Sequence, residues 1–248
     1  MGILHRVLTA GISRLPLRRK VQVVDIALGY LAEASYVRLA RSGFLPGAII
    51  DVGAYRGEWT RLIAQAFPQA PVLMIEAQAE KVPYLQNVKV DLPQAEAEIC
   101  LLGSADGASV TFHVMETGSS IYSERSNVPR TNRILAQRTL DAVLLDRDFL
   151  RTPLFIKLDV QGAELDVLQG GKCALEQAEI VQMEVALTQY NEGAPEAAEV
   201  VAFMEARGFS IYDICGFVRP NPTYLSQIDV LFVRRTSKLR RNYFTLEL

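Results

Sequence analysis

Cysteine, histidine and tryptophan are scarce in this chain of 248 residues. Its three cysteines, Cys100, Cys173 and Cys215, lie far apart and form no CxxC pair. That excludes a disulfide scaffold and points to a reducing, cytoplasmic compartment. No uncharged apolar run approaches the roughly 20 residues of a membrane-spanning helix. The N-terminus lacks an apolar block followed by a small-residue cleavage site, so no signal peptide is expected. Strong net charge is also missing: the total is −2, and half of the residues are hydrophobic. Disorder is thereby excluded. The expectation is one domain with a small appendage.

The small net charge hides a segregation. Residues 1–20 carry Arg6, Arg14, Arg18, Arg19 and Lys20 and no acid, a charge of +5. Residues 234–248 carry five basic residues against Glu247, a charge of +4. The intervening body therefore stands at −11 within the total of −2.

Apolar residues recur at helical spacing from Lys20 to Arg41: Val23, Ile26, Ala27, Tyr30, Leu31, Ala34 and Val37. This predicts one N-terminal helix packed on the following core. From Ala48 onward short apolar runs alternate with amphipathic stretches. Strands are expected at 48–52, 72–75, 98–102, 154–160, 180–185, 209–214 and 228–233. Helices are expected at 58–67, 80–90, 163–169 and 196–207. Such alternation predicts a parallel sheet covered on both faces. Ser109–Met115 alternates in polarity instead and reads as a half-exposed inserted strand or small hairpin. Between the last two strands, Pro220 and Pro222 oppose a crossover helix, so the last strand is expected to run antiparallel.

Ile49-Ile50-Asp51-Val52-Gly53-Ala54-Tyr55-Arg56-Gly57-Glu58 reads as strand, tight glycine turn and helix start. Glu76 ends the second strand, where a carboxylate can accept both ribose hydroxyls of an adenosine. The glycine spacing departs from the G-x-G-x-x-G of dinucleotide sites. Asp51 would repel a pyrophosphate but tolerate a cation, which favours S-adenosylmethionine with its sulfonium and ammonium. With the reversed last strand, the pattern is that of a Rossmann-like α/β methyltransferase of class I. The expected sheet has seven strands, mostly parallel, with a small inserted β element and an N-terminal helical extension.

Phe155-Ile156-Lys157-Leu158-Asp159-Val160-Gln161-Gly162-Ala163-Glu164 and the following Val167-Leu168-Gln169-Gly170 closely resemble the signature of the FkbM-type methyltransferases. Similar matches are Gly118-Ser119-Ser120, Arg138-Thr139-Leu140-Asp141, Glu184 and Ser226–Phe232. The resemblance covers about Ala48 to Val233. It implies O-methylation of hydroxyls on sugars, glycans or secondary metabolites. It also implies that Asp51, Gly53, Ala54, Tyr55 and Gly57 form the cofactor loop, with Glu76 and Ala77 at the ribose. Gly103, Ser104 and Ala105 would line the adenine, and Asp159 would face cofactor and acceptor. Many relatives have an acid where this chain has Gln161.

Methyl transfer to oxygen needs positioning and a base for the hydroxyl proton. Asp159 is the first candidate, with capping of the next helix as its plainer role. His113, one of the two histidines, lies on the less apolar face of the inserted strand and offers an imidazole as a base. Glu184 sits inside an apolar strand and needs a partner. Lys157, two residues before Asp159, shares its strand face, so Lys157, Asp159 and Glu184 are expected to form a polar network. Asp159 with Glu184 also offers hard oxygens to Mg²⁺, although two acids make no metal motif. Glu164 suits a helix start, and Trp59 suits core packing. Ser119, Ser120, Tyr122 and Arg125 form a polar loop able to close over the acceptor. Arg125, Arg130 and Arg133 are candidates for an anionic acceptor, or plain solvated charges.

Two other functions compete: a ribose 2′-O-methyltransferase on RNA, and a binding module that keeps the fold without turnover. The acidic body and the lack of an aromatic and basic stripe argue against nucleic acid. The division expected is a basic helical extension over 1–46, a methyltransferase domain over 47–235 and a basic tail over 236–248. The basic N-terminus, with Ile3, Leu4, Val7, Leu8 and Ile12 on one side, suits an anionic membrane surface or a partner enzyme. A homodimer is an assembly the sequence leaves open.

Overall fold

The computed structural model describes residues 11–145, 147–148, 150–220 and 224–240. His5, Ile3, Leu4, Val7, Leu8, Pro222 and the tail from residue 241 lie outside the described residues. A seven-stranded sheet forms the centre, made of β1 (Ala48–Val52), β2 (Val72–Glu76), β3 (Ala95–Ile99), β7 (Leu154–Leu158), β8 (Ala178–Ala186), β9 (Phe209–Val218) and β10 (Gln227–Arg234). Their spatial order is β3-β2-β1-β7-β8-β10-β9. All neighbouring pairs are parallel except those of β10, which runs antiparallel to both β8 and β9. The short β9–β10 link leaves no room for a crossover helix, so a hairpin return is the available connection. This is the Rossmann-like class I methyltransferase arrangement that the sequence predicts.

Strands β1, β2 and β7 are buried on both faces, which explains their unbroken apolar runs. One face packs Ile50, Leu73, Ile156 and Val181 under α5 (Leu140–Leu144), α6 (Glu164–Gln169), α7 (Lys172–Gln177) and α8 (Ala197–Ala206). The other packs Ile49, Met74, Phe155 and Leu231 under α2 (Leu31–Arg41), α3 (Glu58–Ala66) and α4 (Val82–Asp91).

Three elements differ from the sequence expectation. The N-terminal helix is two helices, α1 (Leu17–Leu28) and α2, broken at Gly29 and Tyr30. Glycine is a poor helix residue, and α1 buries none of its side chains that would hold the pair straight. The core face of α2 is Ser35, Tyr36 and Leu39, whereas Ile26, Tyr30 and Val37 are exposed. Tyr36 wins the interior because its hydroxyl finds two partners there. The indole Nε1 of Trp59 donates to it at 2.7 Å, and it donates to Gln182 Oε1 at 2.8 Å.

Secondly, the strand expected at 98–102 is divided. Residues 95–99 join the main sheet as β3, while Leu101–Leu102 (β4) leave it at Cys100. Thirdly, the inserted element is a three-stranded sheet of order β4-β6-β5, with β5 at Ser109–Val114 and β6 at Thr131–Arg138. The polar, exposed composition of β6 hides it from a hydrophobic pattern. Of β5 only Phe112 is buried.

The Tyr36 hydroxyl ties α2 to α3 and to the sheet. Tyr36→Phe keeps the packing but strands the indole N–H of half-buried Trp59 and the buried Gln182 amide. A loss of about 1–3 kcal/mol is expected. Urea unfolding checks it, with a lower midpoint and an unchanged slope.

Candidate functional site

The carboxyl ends of β1, β2 and β7 open into a cleft of about 240 Å³. Open parallel sheets place ligands at this edge. Gly53 follows β1 with φ +75°, and a Cβ there would overlap the Asp159 carbonyl oxygen. Only glycine lets the loops after β1 and β7 touch. Its N–H and that of Ala54 donate to Ile75 O, fixing the turn over β2. Tyr55 takes φ +49°, which aims its N–H at Glu76 Oε2, 2.8 Å away. Glu76 Oε1 accepts from Gln78 N at 2.8 Å, so the carboxylate is buried and oriented by backbone. Burial raises its pKa despite these bonds.

Below the loop lies a buried charge row. Asp51, Lys157 and Gln182 stand in register on β1, β7 and β8. The Lys157 ammonium is 3.2 Å from Asp51 Oδ1 and 3.4 Å from Asp159 Oδ2, and donates to Gly53 O at 3.2 Å. Burial alone would lower the Lys157 pKa, but the Asp51 and Asp159 carboxylates outweigh it and raise it. Asp51 also accepts from Thr60 Oγ1 at 2.6 Å and is fully buried. It acts on the cleft through Lys157 and does not line it.

Asp159 lines the cleft and also a second cavity of about 510 Å³. Gln161 joins the two carboxylates there. Its Nε2 donates to Asp159 Oδ1 at 3.1 Å and to Glu184 Oε1 at 2.9 Å. Its backbone takes φ +56°, and its carbonyl accepts from Ser120 Oγ and Asn191 Nδ2. Tyr190 donates to Glu184 Oε1 at 2.9 Å and accepts from Gln227 Nε2 at 2.7 Å. The expected network therefore exists, but Lys157 reaches Glu184 only through Asp159 and Gln161. Burial, then the Asp159 and Glu164 charges, raises the Glu184 pKa well above the usual carboxylate range. Among the described residues no group of three His, Cys, Asp or Glu is placed to hold a metal ion.

The inserted segment crosses the cleft. Glu116, at φ +53°, accepts from Tyr55 Oη at 2.7 Å and from Lys81 Nζ at 2.6 Å. Its carbonyl accepts from Gln78 Nε2 at 3.1 Å. Lys81 lies over the Tyr55 ring, 4.2 Å from its centroid.

The structure brings Gly53, Ala54, Tyr55, Glu76, Ala77, Lys157 and Asp159 to the cleft, with Glu184 across Asp159 in the second cavity. Other expected residues lie elsewhere. Gly57 caps α3 at φ +79°, where a Cβ would press on Val88, and does not line the cleft. Gly103, Ser104 and Ala105 stand outside the cleft, because the chain leaves the sheet at Cys100. Cys100, Leu101 and Leu102 line it in their place. His113 lines neither cavity; its Nδ1 pairs with Asn132 Oδ1 at 2.8 Å. Arg125 pairs with Gln189, Arg130 with the 123–126 loop, and Arg133 with Glu80. Glu116, Gln161 as a bridge, Tyr190 and Phe112 escaped the sequence reading. Only Gln161 left a signal there, as a non-acidic residue after Asp159.

Two stability tests follow from the buried charges. Lys157→Met leaves Asp51 uncompensated and is expected to cost about 3–5 kcal/mol in urea unfolding. Adding Asp51→Asn should restore part of that loss. Burial, then the Asp159 charge, also raises Asp229 to about 6. Burial raises Glu164 to about 7, even though its Oε1 accepts from Val160 N and Gly162 N. The folded state thus holds more protons than the unfolded chain between the ordinary and raised values. Stability present at low pH is lost as pH rises from about 4.5 to about 7. Glu164→Gln is expected to flatten that fall, measured by unfolding at several pH values.

The family model of the methyltransferase FkbM domain matches residues 51–211. No curated protein matches the chain. Among solved structures, methyltransferase FkbM from Methylobacillus flagellatus KT is similar at 18% identity and TM-score 0.43, covering 77% of this chain and 46% of that one. Magnesium protoporphyrin IX methyltransferase (ChlM) from Synechocystis PCC 6803, with bound SAM, is similar at 16% identity and TM-score 0.46, covering 82% and 77%. A 1,6-didemethyltoxoflavin-N1-methyltransferase from Burkholderia thailandensis is similar at 10% identity and TM-score 0.45, covering 94% and 91%. The family match runs from Asp51 to Ile211, well over half of the chain, and contains the shared carboxylate Asp159 and its bridge to Glu184; the chain belongs to the FkbM methyltransferase family.

Proposed function

We propose that the chain transfers a methyl group from S-adenosylmethionine to a hydroxyl of a sugar, glycan or secondary metabolite. One observation carries this reading: the Asp159 carboxylate stands in the wall of both cavities. A group held in the first cleft and a group held in the second would meet there.

The side chains of the first cleft suit this cofactor. Glu76 is placed for ribose hydroxyls, and Ile75, Leu101, Leu102 and Phe112 offer an apolar wall for a base. Carboxylates of Glu58, Glu76, Glu116 and Asp159 line it, against Lys157 as the one cation among the described lining residues. That balance favours a positively charged ligand. When bound, S-adenosylmethionine supplies an electrophilic methyl group on its sulfonium.

The protein's part is to position the acceptor and take its proton. Lys157 and Gln161 hold the two oxygens of Asp159, so the carboxylate is oriented before the acceptor arrives. Asp159 accepts the hydroxyl proton. Gln161 and Tyr190 are positioning residues, since they act through the carboxylates. The second cavity supplies Thr188, Tyr190, Tyr224, Ser226 and Gln227 as hydrogen-bonding groups for a hydroxyl-rich acceptor. It also holds Glu124, Asp159 and Glu184, and no Lys or Arg among its described lining residues. An uncharged acceptor suits it better than a phosphate, which weighs against RNA.

Titration calorimetry with S-adenosylmethionine tests the reading, and absence of binding at millimolar cofactor would overturn it. Glu76→Ala should abolish binding. Asp159→Asn should retain it, while methyl transfer from labelled cofactor to neutral sugars and polyols falls about 10²–10⁴-fold.

A further inference from the structure

We propose that α1 is an interfacial helix that docks the enzyme on an anionic phospholipid bilayer. Leu17, Val21, Val24 and Leu28 follow i, i+4, i+7 and i+11 spacing and form one stripe along the helix. None is buried: Leu17 is 76% exposed, Val21 49% and Val24 50%. A helix gains nothing from such a stripe in water, because helical stability comes mainly from a packed apolar face. The core does not supply that face, since it is covered by α2, α3 and α4.

Charge identifies the occupant. Arg18 and Lys20 flank the stripe on its two sides, Arg14 lies three residues before it and outside the helix, and Arg19 adds a fourth cation. The chain has no acid before Asp25, the only acid of α1. An apolar stripe bordered by cations matches the boundary between anionic headgroups and acyl chains. The acidic body of a second copy would also attract these cations, and the test below separates that outcome from lipid binding. No helix among the described residues is long and apolar enough to cross a membrane, so contact along the surface is the available mode.

Position relates the docking helix to the site. Tyr36 of α2 packs at the level of Lys157 and Gln182, near the carboxyl edge of the sheet. Phe44, after α2, packs on Phe155 and Phe67, and Gly47 N bonds to Pro153 O at the opposite edge. Helix α2 therefore descends from the carboxyl edge, and α1 joins it at that upper end. The helix that docks is therefore connected to the body at the edge that carries both cavities. The proposal does not depend on the methyl-transfer reading.

The test is co-sedimentation of the full chain with phosphatidylcholine vesicles, with and without phosphatidylglycerol. Partitioning is expected to be at least about tenfold stronger on the anionic vesicles and to weaken with added salt. Val21→Asp with Val24→Asp should abolish it at unchanged thermal midpoint, since neither side chain is buried. Arg18→Gln with Lys20→Gln should reduce it on anionic vesicles alone. Equal sedimentation of the wild type and the Val21→Asp, Val24→Asp variant would overturn the proposal. So would light scattering that shows a dimer dissolved by that variant, with no vesicle binding by the wild type.

Discussion

An ammonium group is held in the interior of this protein, and the site is arranged around it. Lys157 sits in the middle strand of the sheet, where desolvation opposes its charge. Asp51 on the neighbouring strand and Asp159 just beyond its own strand end supply the compensating carboxylates. The Gly53 carbonyl takes a further hydrogen bond. One side chain thus connects the loop after β1, the loop after β7 and the charge that faces both cavities. Neighbours seal the arrangement: Thr60 bonds Asp51 from α3, and the Trp59 ring lies 5.7 Å from the ammonium. Removing Lys157 leaves the buried Asp51 carboxylate without its counter-charge, which ties the two strands together at this point.

Backbone strain collects at the same place. Tyr55, Glu116 and Gln161 are the described non-glycine residues with positive φ, and all three bear on the cavities. Each makes hydrogen bonds at the cavities. Tyr55 directs its N–H to Glu76, Glu116 spans from Tyr55 to Lys81, and Gln161 lies between two carboxylates. Strained residues persist where their surroundings over-determine them, and here those surroundings come from β1, β2, β7, β8 and the inserted sheet. The result is a set of oriented carboxylates at the meeting of two cavities.

Much of this was legible along the chain. The buried strands announce themselves as apolar runs, and the turn at Gly53 follows from the conformation that only glycine tolerates there. Glu76 and Asp159 are readable because each ends a strand, and strand ends of a parallel sheet share one edge. Other parts were not legible. The stripe from Val23 to Val37 has helical spacing, yet the protein buries Tyr36 and Leu39. Spacing shows that a face exists, and hydrogen-bond partners elsewhere in the fold decide which face is covered. Strand β6 is polar because it lies over the surface, and Gly103 misses the cleft because the chain exits the sheet three residues earlier. Tyr190 and Gln161 meet Glu184 only through folding, across separations that carry no local pattern.

The sequence alone therefore determined the layer architecture, the reversed last strand, the family signature and the carboxylates at the strand ends. These depend on local periodicity, on turn chemistry and on the short link that forces a hairpin. The tertiary structure alone decided that Asp51 works from beneath the cleft, that His113 stands apart from it, and that Gln161 couples Asp159 to Glu184. It also decided that α1 carries its apolar stripe into solvent. Each of these depends on which side chains meet across the sheet, and that is set by the packing of distant segments against one another.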